Sequence, residues 1–254
     1  RRTSETKNRM RLTYIYHSGF VVEAEGFSIL IDYFKDTDTD LARAFVCGEL
    51  LRCPGTLYIL SSHFHPDHFN PEIFRLAEEK EDTFFILSSD IWECRIPKEL
   101  KAQAVRLKPN ERRSFENIMV QTLKSTDEGV AFLVWVEGKT LYHAGDLNDW
   151  RWPGEPENWN RQMKENFDKY IEPLRNMHID AAFVPLDPRQ EDYYCLGLDY
   201  FLSLTAGGNP SERIYPMHCW EDYQIIDRWL LEHPEHPERE RIMHITARGQ
   251  SFLQ

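Results

Sequence analysis

The chain has 254 residues, 41% of them hydrophobic and 13% aromatic, with a formal charge of −12. That length suits one large domain or two small ones, and that composition excludes an intrinsically disordered chain. The acidic balance excludes a generic nucleic-acid-binding surface, which needs clustered Lys and Arg, and with no apolar run of about 18 residues there is no candidate transmembrane helix.

The cysteines, Cys47, Cys53, Cys94, Cys195 and Cys219, are odd in number and form no CxxC pair. They read as reduced thiols of a cytoplasmic protein, and Cys219 as a small buried apolar residue. Residues 1–9 are polar and lack the apolar core of a secretory signal. They are expected to be a disordered extension, with residues 10–254 as a single folded domain.

Leu12, Tyr14 and Tyr16 alternate with Thr13 and Ile15 and predict a first strand over residues 12–17, turned by Ser18-Gly19. Residues 20–24 and 27–33 predict a hairpin about Glu25-Gly26, with Asp32 at the end of the third strand. His17, alone at a strand end, reads as a packing residue, with the lining of a metal cleft as the lesser alternative. Asp36-Thr37-Asp38-Thr39-Asp40 resembles the start of a calcium loop, but Leu41 and Cys47 stand where glycine and an acid are needed. A helix over residues 41–51, capped by Asp40, is expected instead.

Residues 55–60 are short, apolar and partly β-branched, and read as a buried strand. It runs into Ser61-Ser62-His63-Phe64-His65-Pro66-Asp67-His68, and Asn70-Pro71-Glu72 then signals a helix start. Imidazole and carboxylate donors suit Zn, and also Fe or Mn. Alternation in an extended segment sends His63 and His65 to one side. A bulge at Pro66-Asp67 would turn Asp67 and His68 toward a second, adjacent position, the spacing that two-metal hydrolytic sites use.

After a helix over residues 71–79, strands are expected at 83–87, 104–107 and 118–123, with a short helix from Asp90. A hairpin follows at 130–136 and 140–144, and its second strand delivers Gly145-Asp146, where glycine permits a sharp turn and the aspartate can bridge two cations. Trp150 and Trp152, just beyond, read equally as an aromatic wall over the site or as a loop packed on the surface. Residues 156–177 carry a helical apolar stripe that Pro173 should kink or end. A strand over 179–185 leads to Asp187 and Arg189, candidate pocket residues, the arginine as a holder of an anionic group, against a plain surface ion pair. Helices are expected at 198–204 and 223–231, a strand at 214–218 that ends in His218, and a last strand at 242–246. His233 and His236 read as incidental histidines of a solvated loop.

The histidine loop, the Gly145-Asp146 strand end and His218 occur in the order and at the separations of the metallo-β-lactamase fold superfamily, which the chain resembles from Met10 onward. Tyr16-His17-Ser18-Gly19-Phe20, Ile29-Leu30-Ile31-Asp32 and Tyr142-His143-Ala144-Gly145-Asp146 are most similar to the branch that includes L-ascorbate-6-phosphate lactonase. The resemblance implies an α/β (α+β) fold, a four-layer αβ/βα sandwich of two mixed β-sheets. It implies His63 and His65 as ligands of a first metal, Asp67, His68 and His218 as ligands of a second, Asp146 as the bridge, and Asp67 also as the catalytic carboxylate. The cofactors would be one or two divalent metal ions, Zn first, with Mn or Fe as alternatives. The superfamily's third histidine for the first metal is missing, because residues 124–129 contain none. Asp127, or behind it Ser125, is expected to replace it with an oxygen ligand, which hardens the site toward Mn or Fe; otherwise one tight metal remains. The implied function is a metal-dependent hydrolase acting on a small ester, lactone or phosphate ester through a metal-activated water. The alternatives are a nuclease of the same fold, which the charge opposes, and a non-catalytic metal-binding protein. The expected partner is a small-molecule substrate, with no nucleic acid and no membrane.

Overall fold

The computed structural model describes residues 9–205 and 211–254. The extension expected at the N-terminus lies, except for Arg9, outside the described residues. The strands are β1 (Arg11–Tyr16), β2 (Gly19–Ala24), β3 (Phe27–Ile31), β4 (Leu57–Ser61), β5 (Thr83–Ser88), β6 (Ala104–Leu107), β7 (Arg112–Ser114), β8 (Ile118–Lys124), β9 (Val130–Val136), β10 (Lys139–His143), β11 (Ala181–Pro185), β12 (Arg213–Met217) and β13 (Ser251–Leu253). They form two sheets, ordered β13-β1-β2-β3-β4-β5-β6 and β12-β11-β10-β9-β8-β7. Both are mixed: β3 to β6 run parallel beside an antiparallel β1-β2-β3 meander, and β10 to β12 run parallel beside antiparallel β7 to β10.

The period-two pattern places alternate residues in two different cores. Tyr14, Phe20, Val22, Ile29, Ile31, Leu60 and Ile86 pack between the sheets. Their neighbours Ile15, Val21, Leu30, Ile59, Phe85 and Leu87 pack outward with Phe45, Val46, Ile73 and Phe74. Each such side chain contributes about 1.5–3 kcal/mol by leaving water. Helix α1 (Ile73–Glu79) covers this outer face, Phe74 meeting Phe85 with ring centroids 5.0 Å apart. On the other sheet α2 (Glu157–Ile171) lies against β8 and α3 (Leu196–Leu204) against β11, with Phe201 stacked on Tyr142 at 5.6 Å. Helix α4 (Gln224–Glu232) buries Ile225, Ile226 and Trp229. The layers are therefore helix, sheet, sheet, helix, as the resemblance implies.

Three elements differ from expectation. Residues 41–51 do not form one α-helix; a π-helical turn spans Phe45–Glu49 and a 3-10 turn Leu50–Arg52. The capping carboxylate is Asp36 rather than Asp40: it accepts hydrogen bonds from the backbone N–H groups of Val46 and Cys47 at 2.9 and 2.8 Å. The last strand is β13, paired antiparallel with β1, whereas the region 242–246 contributes only an isolated bridge between Ile214 and Ile242. Strand β7, three exposed residues at a sheet edge, has no apolar alternation to announce it. Pro173 does end α2, which passes into a 3-10 turn at Glu172–Leu174.

The topology gathers one kind of chain position. The carboxyl ends of β3 and β4 deliver Asp32 and the histidine loop, and those of β10, β11 and β12 deliver Asp146, Asp187 and His218. Because each parallel set points one way, these five ends open on the same rim of the sandwich.

Candidate metal centre

Eight side chains meet at that rim in two groups, His63, His65, Asp127 and Asp146, and His17, Asp67, His68 and His218, each with ligand atoms within 4.8 Å of one another. Asp146 belongs to both by geometry. Its Oδ2 lies 3.3 Å from His63 Nε2, while its Oδ1 lies 3.1 Å from His68 Nε2 and 3.3 Å from His218 Nε2. His65 Nδ1 lies 3.3 Å from Asp127 Oδ2. Thus the structure brings together all six residues predicted as ligands, together with Asp127. Ser125 stands behind, its Oγ accepting from the Asp127 N–H at 3.2 Å.

His17, expected to pack, is instead part of the second group. Its Nε2 lies 3.1 Å from Asp67 Oδ2, and its backbone carbonyl accepts from His218 N–H at 3.3 Å.

Three buried imidazoles, those of His63, His68 and His218, are held through Nδ1 so that Nε2 points forward. His68 Nδ1 donates to Asp32 Oδ2 at 2.7 Å, and His218 Nδ1 to Asp187 Oδ2 at 2.9 Å. His63 Nδ1 lies 2.9 Å from Ser62 Oγ, which in turn donates to Asp32 at 2.6 Å. A carboxylate behind an imidazole fixes tautomer and orientation, as supporting groups of metal ligands do. The result is four buried atoms, His63 Nε2, His68 Nε2, His218 Nε2 and Asp146 Oδ1, with no hydrogen-bond partner among the described residues. Buried polar atoms without partners are rare and costly, and this donor set fits a divalent cation.

The electrostatics point the same way. Burial works against a proton on His68, but the charges of Asp146 and Asp32 outweigh it and raise its pKa well above the ordinary value. Burial would raise Asp146, yet His68 and His218 pull it far below the usual carboxylate range. Asp67 is likewise lowered, against burial, by its hydrogen bond with His17 and by the neighbouring imidazoles of His218 and His68. Burial takes His17 down to about 4 despite its bond to Asp67.

The backbone is strained where these residues are presented. His17, Asp32 and His218 have φ of 58°, 51° and 62°, conformations that cost on the order of 1–3 kcal/mol each outside glycine. Gly145, at φ 53°, is required twice over: a Cβ there would lie 2.7 Å from Ser62 Cβ and 2.8 Å from the Val130 carbonyl. That close approach sets Asp146 against the histidine loop.

A cavity of about 440 Å3 opens beside the two groups. Trp150 and Trp152 line it, stacked at 5.8 Å, and Trp150 Nε1 donates to the Asp146 carbonyl at 2.8 Å. Of the two readings of these tryptophans, the aromatic wall is the one found. Trp220, which no sequence motif marks, lines the same cavity, as does Arg189.

Residues 11–151, more than half of the chain, match the family model described as a beta-lactamase superfamily domain. A "UPF0173 metal-dependent hydrolase" of Nitratidesulfovibrio vulgaris strain DP4 is 26% identical over 226 residues, covering 86% of this chain and 83% of that protein. Among solved structures, Igni18, a metallo hydrolase of Ignicoccus hospitalis, superposes with a TM-score of 0.67 at 15% identity, covering 97% of this chain and 98% of that one. YhfI of Bacillus subtilis, a metallo-beta-lactamase fold protein, gives 0.64 at 13% identity, with 98% and 100% covered. With the two-sheet architecture and the family match in agreement, the chain belongs to the beta-lactamase superfamily and has the metallo-β-lactamase fold.

Proposed function

We propose that this chain, a metal-dependent hydrolase of the metallo-β-lactamase superfamily, cleaves a small ester, lactone or phosphate ester with water as the nucleophile. The observation that carries this reading is the convergence of His63 Nε2, His68 Nε2, His218 Nε2 and Asp146 Oδ1, all buried and all without a hydrogen-bond partner among the described residues. Each such atom costs about 1–3 kcal/mol if left so. His63, His65 and Asp127 would hold one ion, and His17, Asp67, His68 and His218 the other, with Asp146 shared. Asp127 takes the place of the missing third histidine. Three carboxylates among the donors keep Mn and Fe as alternatives to Zn. When bound, divalent ions supply Lewis acidity and bring the pKa of water toward 7.

The chain itself supplies position and proton transfer. Asp32 and Asp187 hold His68 and His218 with Nε2 forward. Asp67 borders the cavity and is assigned the catalytic proton: its carboxylate takes the proton released as water adds to the carbonyl or phosphoryl centre and returns it to the leaving oxygen. A cavity of about 440 Å3 is the size of a small-molecule site. All the cysteines are free thiols, which supports a cytoplasmic setting, and no helix among the described residues is long and apolar enough to cross a membrane.

The test is elemental analysis of protein purified without added metal, followed by a screen of esters, lactones and phosphate esters. Metal retained together with turnover of one of these classes is the expected result. A chain that retains no metal, or a loaded chain that turns over none of them, would sink the reading.

A further inference from the structure

Four tryptophans, Trp150, Trp152, Trp159 and Trp220, line the cavity beside the metal groups, and apart from its histidines Arg189 is the one cationic residue lining it among the described residues. Indole faces attract cations. An unfilled box of this kind would select an ammonium ligand, but here the protein supplies the cation. Arg189 Cζ lies 4.8 Å from the Trp220 ring centroid and 5.8 Å from that of Trp152.

Asp187 fixes the guanidinium along one edge. Arg189 Nε lies 3.0 and 3.1 Å from the two carboxylate oxygens, and Nη2 lies 2.7 Å from Oδ2. Nε and Nη2 are thereby engaged, while Nη1 has no hydrogen-bond partner among the described residues and the side chain stays 53% exposed. With one edge held by a carboxylate and the indoles of Trp152 and Trp220 beside it, this arginine recognises what approaches its remaining N–H donors, and a charge-assisted contact favours an anion over a neutral acceptor. The carboxylate that holds Arg189 also accepts from His218 Nδ1 at 2.9 Å. The anion site and the metal group therefore share one anchor and stand at a fixed offset.

We propose that the substrate carries an anionic group, a carboxylate, phosphate or sulfonate, on a flat or apolar body, and that Arg189 is the residue that selects for it. The tryptophans take the body and Arg189 takes the charge, away from the bond to be cleaved. This rests on the hydrolase reading of the site and narrows its substrate class.

Calorimetric titration of the metal-loaded full chain with three probes of one shape tests it: naphthalene-2-sulfonate, the neutral methyl 2-naphthyl sulfone, and trimethyl(2-naphthyl)ammonium. The sulfonate is expected to bind about tenfold or more tighter than the sulfone, as befits one charge-assisted contact. Arg189→Met should bring that ratio close to unity while the sulfone's Kd moves by less than about twofold. Arg189→Lys, which keeps the charge without the fork, should retain part of the ratio, and it stands in if the methionine variant does not fold. Equal binding of sulfonate and sulfone, tightest binding of the ammonium, or no binding of any probe would overturn the proposal. So would a ratio that survives Arg189→Met, because the metal centre would then be the source of the attraction. The readout is binding, so failure of the hydrolase reading would show separately, in metal content and turnover.

Discussion

His17 Nε2 and Asp67 Oδ2 lie 3.1 Å apart, and the same oxygen is 3.3 Å from His68 Nε2 and 3.4 Å from His218 Nε2. One carboxylate oxygen thus stands among three imidazoles drawn from three distant parts of the chain. Such a point is either a strained accident or a cation position. His17→Ala removes one of the three. We expect metal affinity to fall at least about ten- to a hundredfold, the range for losing even a residue that only supports a ligand, measured by competition with a chromogenic chelator. Unchanged affinity would return His17 to a packing role.

Asp127 and Ser125 separate a ligand from its support. Asp127 faces His65 across 3.3 Å, whereas Ser125 only accepts from the Asp127 N–H. Asp127→Ala should lower the metal-to-protein ratio, and Ser125→Ala should lower it less. Equal metal content in both variants and the parent chain would remove Asp127 from the site.

Metal uptake should release protons. In the metal-free chain Asp146 and Asp32 outweigh burial to raise His68 above its ordinary 6.5. Its contribution to stability is therefore complete below 6.5 and is lost as pH rises through the folded-state value. Asp146, held below its ordinary 3.8, behaves oppositely: its contribution is present above 3.8 and is lost as pH falls through the depressed value. A cation needs Nε2 of His68 unprotonated, so affinity should rise with pH. Calorimetry in two buffers of different ionisation enthalpy reads the release directly, and an identical heat in both would contradict it.

Gly145→Ala should damage stability and metal binding together. The new Cβ would meet Ser62 Cβ at 2.7 Å at a φ of 53°. Strain of this kind costs about 1–3 kcal/mol, a fall in Tm of roughly 2–12 °C for a domain of this size. A variant with parental Tm and full metal content would show that the backbone can shift without moving Asp146.

Much of this was legible because the signals are local. The sheet strands alternate between two buried faces, so their period shows, and the histidine loop packs four donors into six positions after a strand. Asp146 and His218 could be read because each ends an apolar strand. His17 could not, since a lone histidine on a strand end carries no mark of a neighbour brought from residue 67. The misplaced last strand has a similar cause. Ile242 and Ile245 are buried and look like strand residues, whereas β13 is three partly exposed residues whose identity comes from its partner β1. The helix expected at 41–51 does not form because the chain folds back on Asp36, an acid more distant in sequence than Asp40.

The donors divide between the two sheets. His17, His63, His65, Asp67 and His68 belong to the first, and Asp127, Asp146 and His218 to the second. An ion gripped by both would act as a rivet across the sandwich. Stripping it with a chelator would then loosen the seam between the sheets before it frayed either one. Amide exchange should quicken at the rim around Ser62 and Val130, where one N–H crosses that seam at 2.9 Å, while strands deep in each sheet hold.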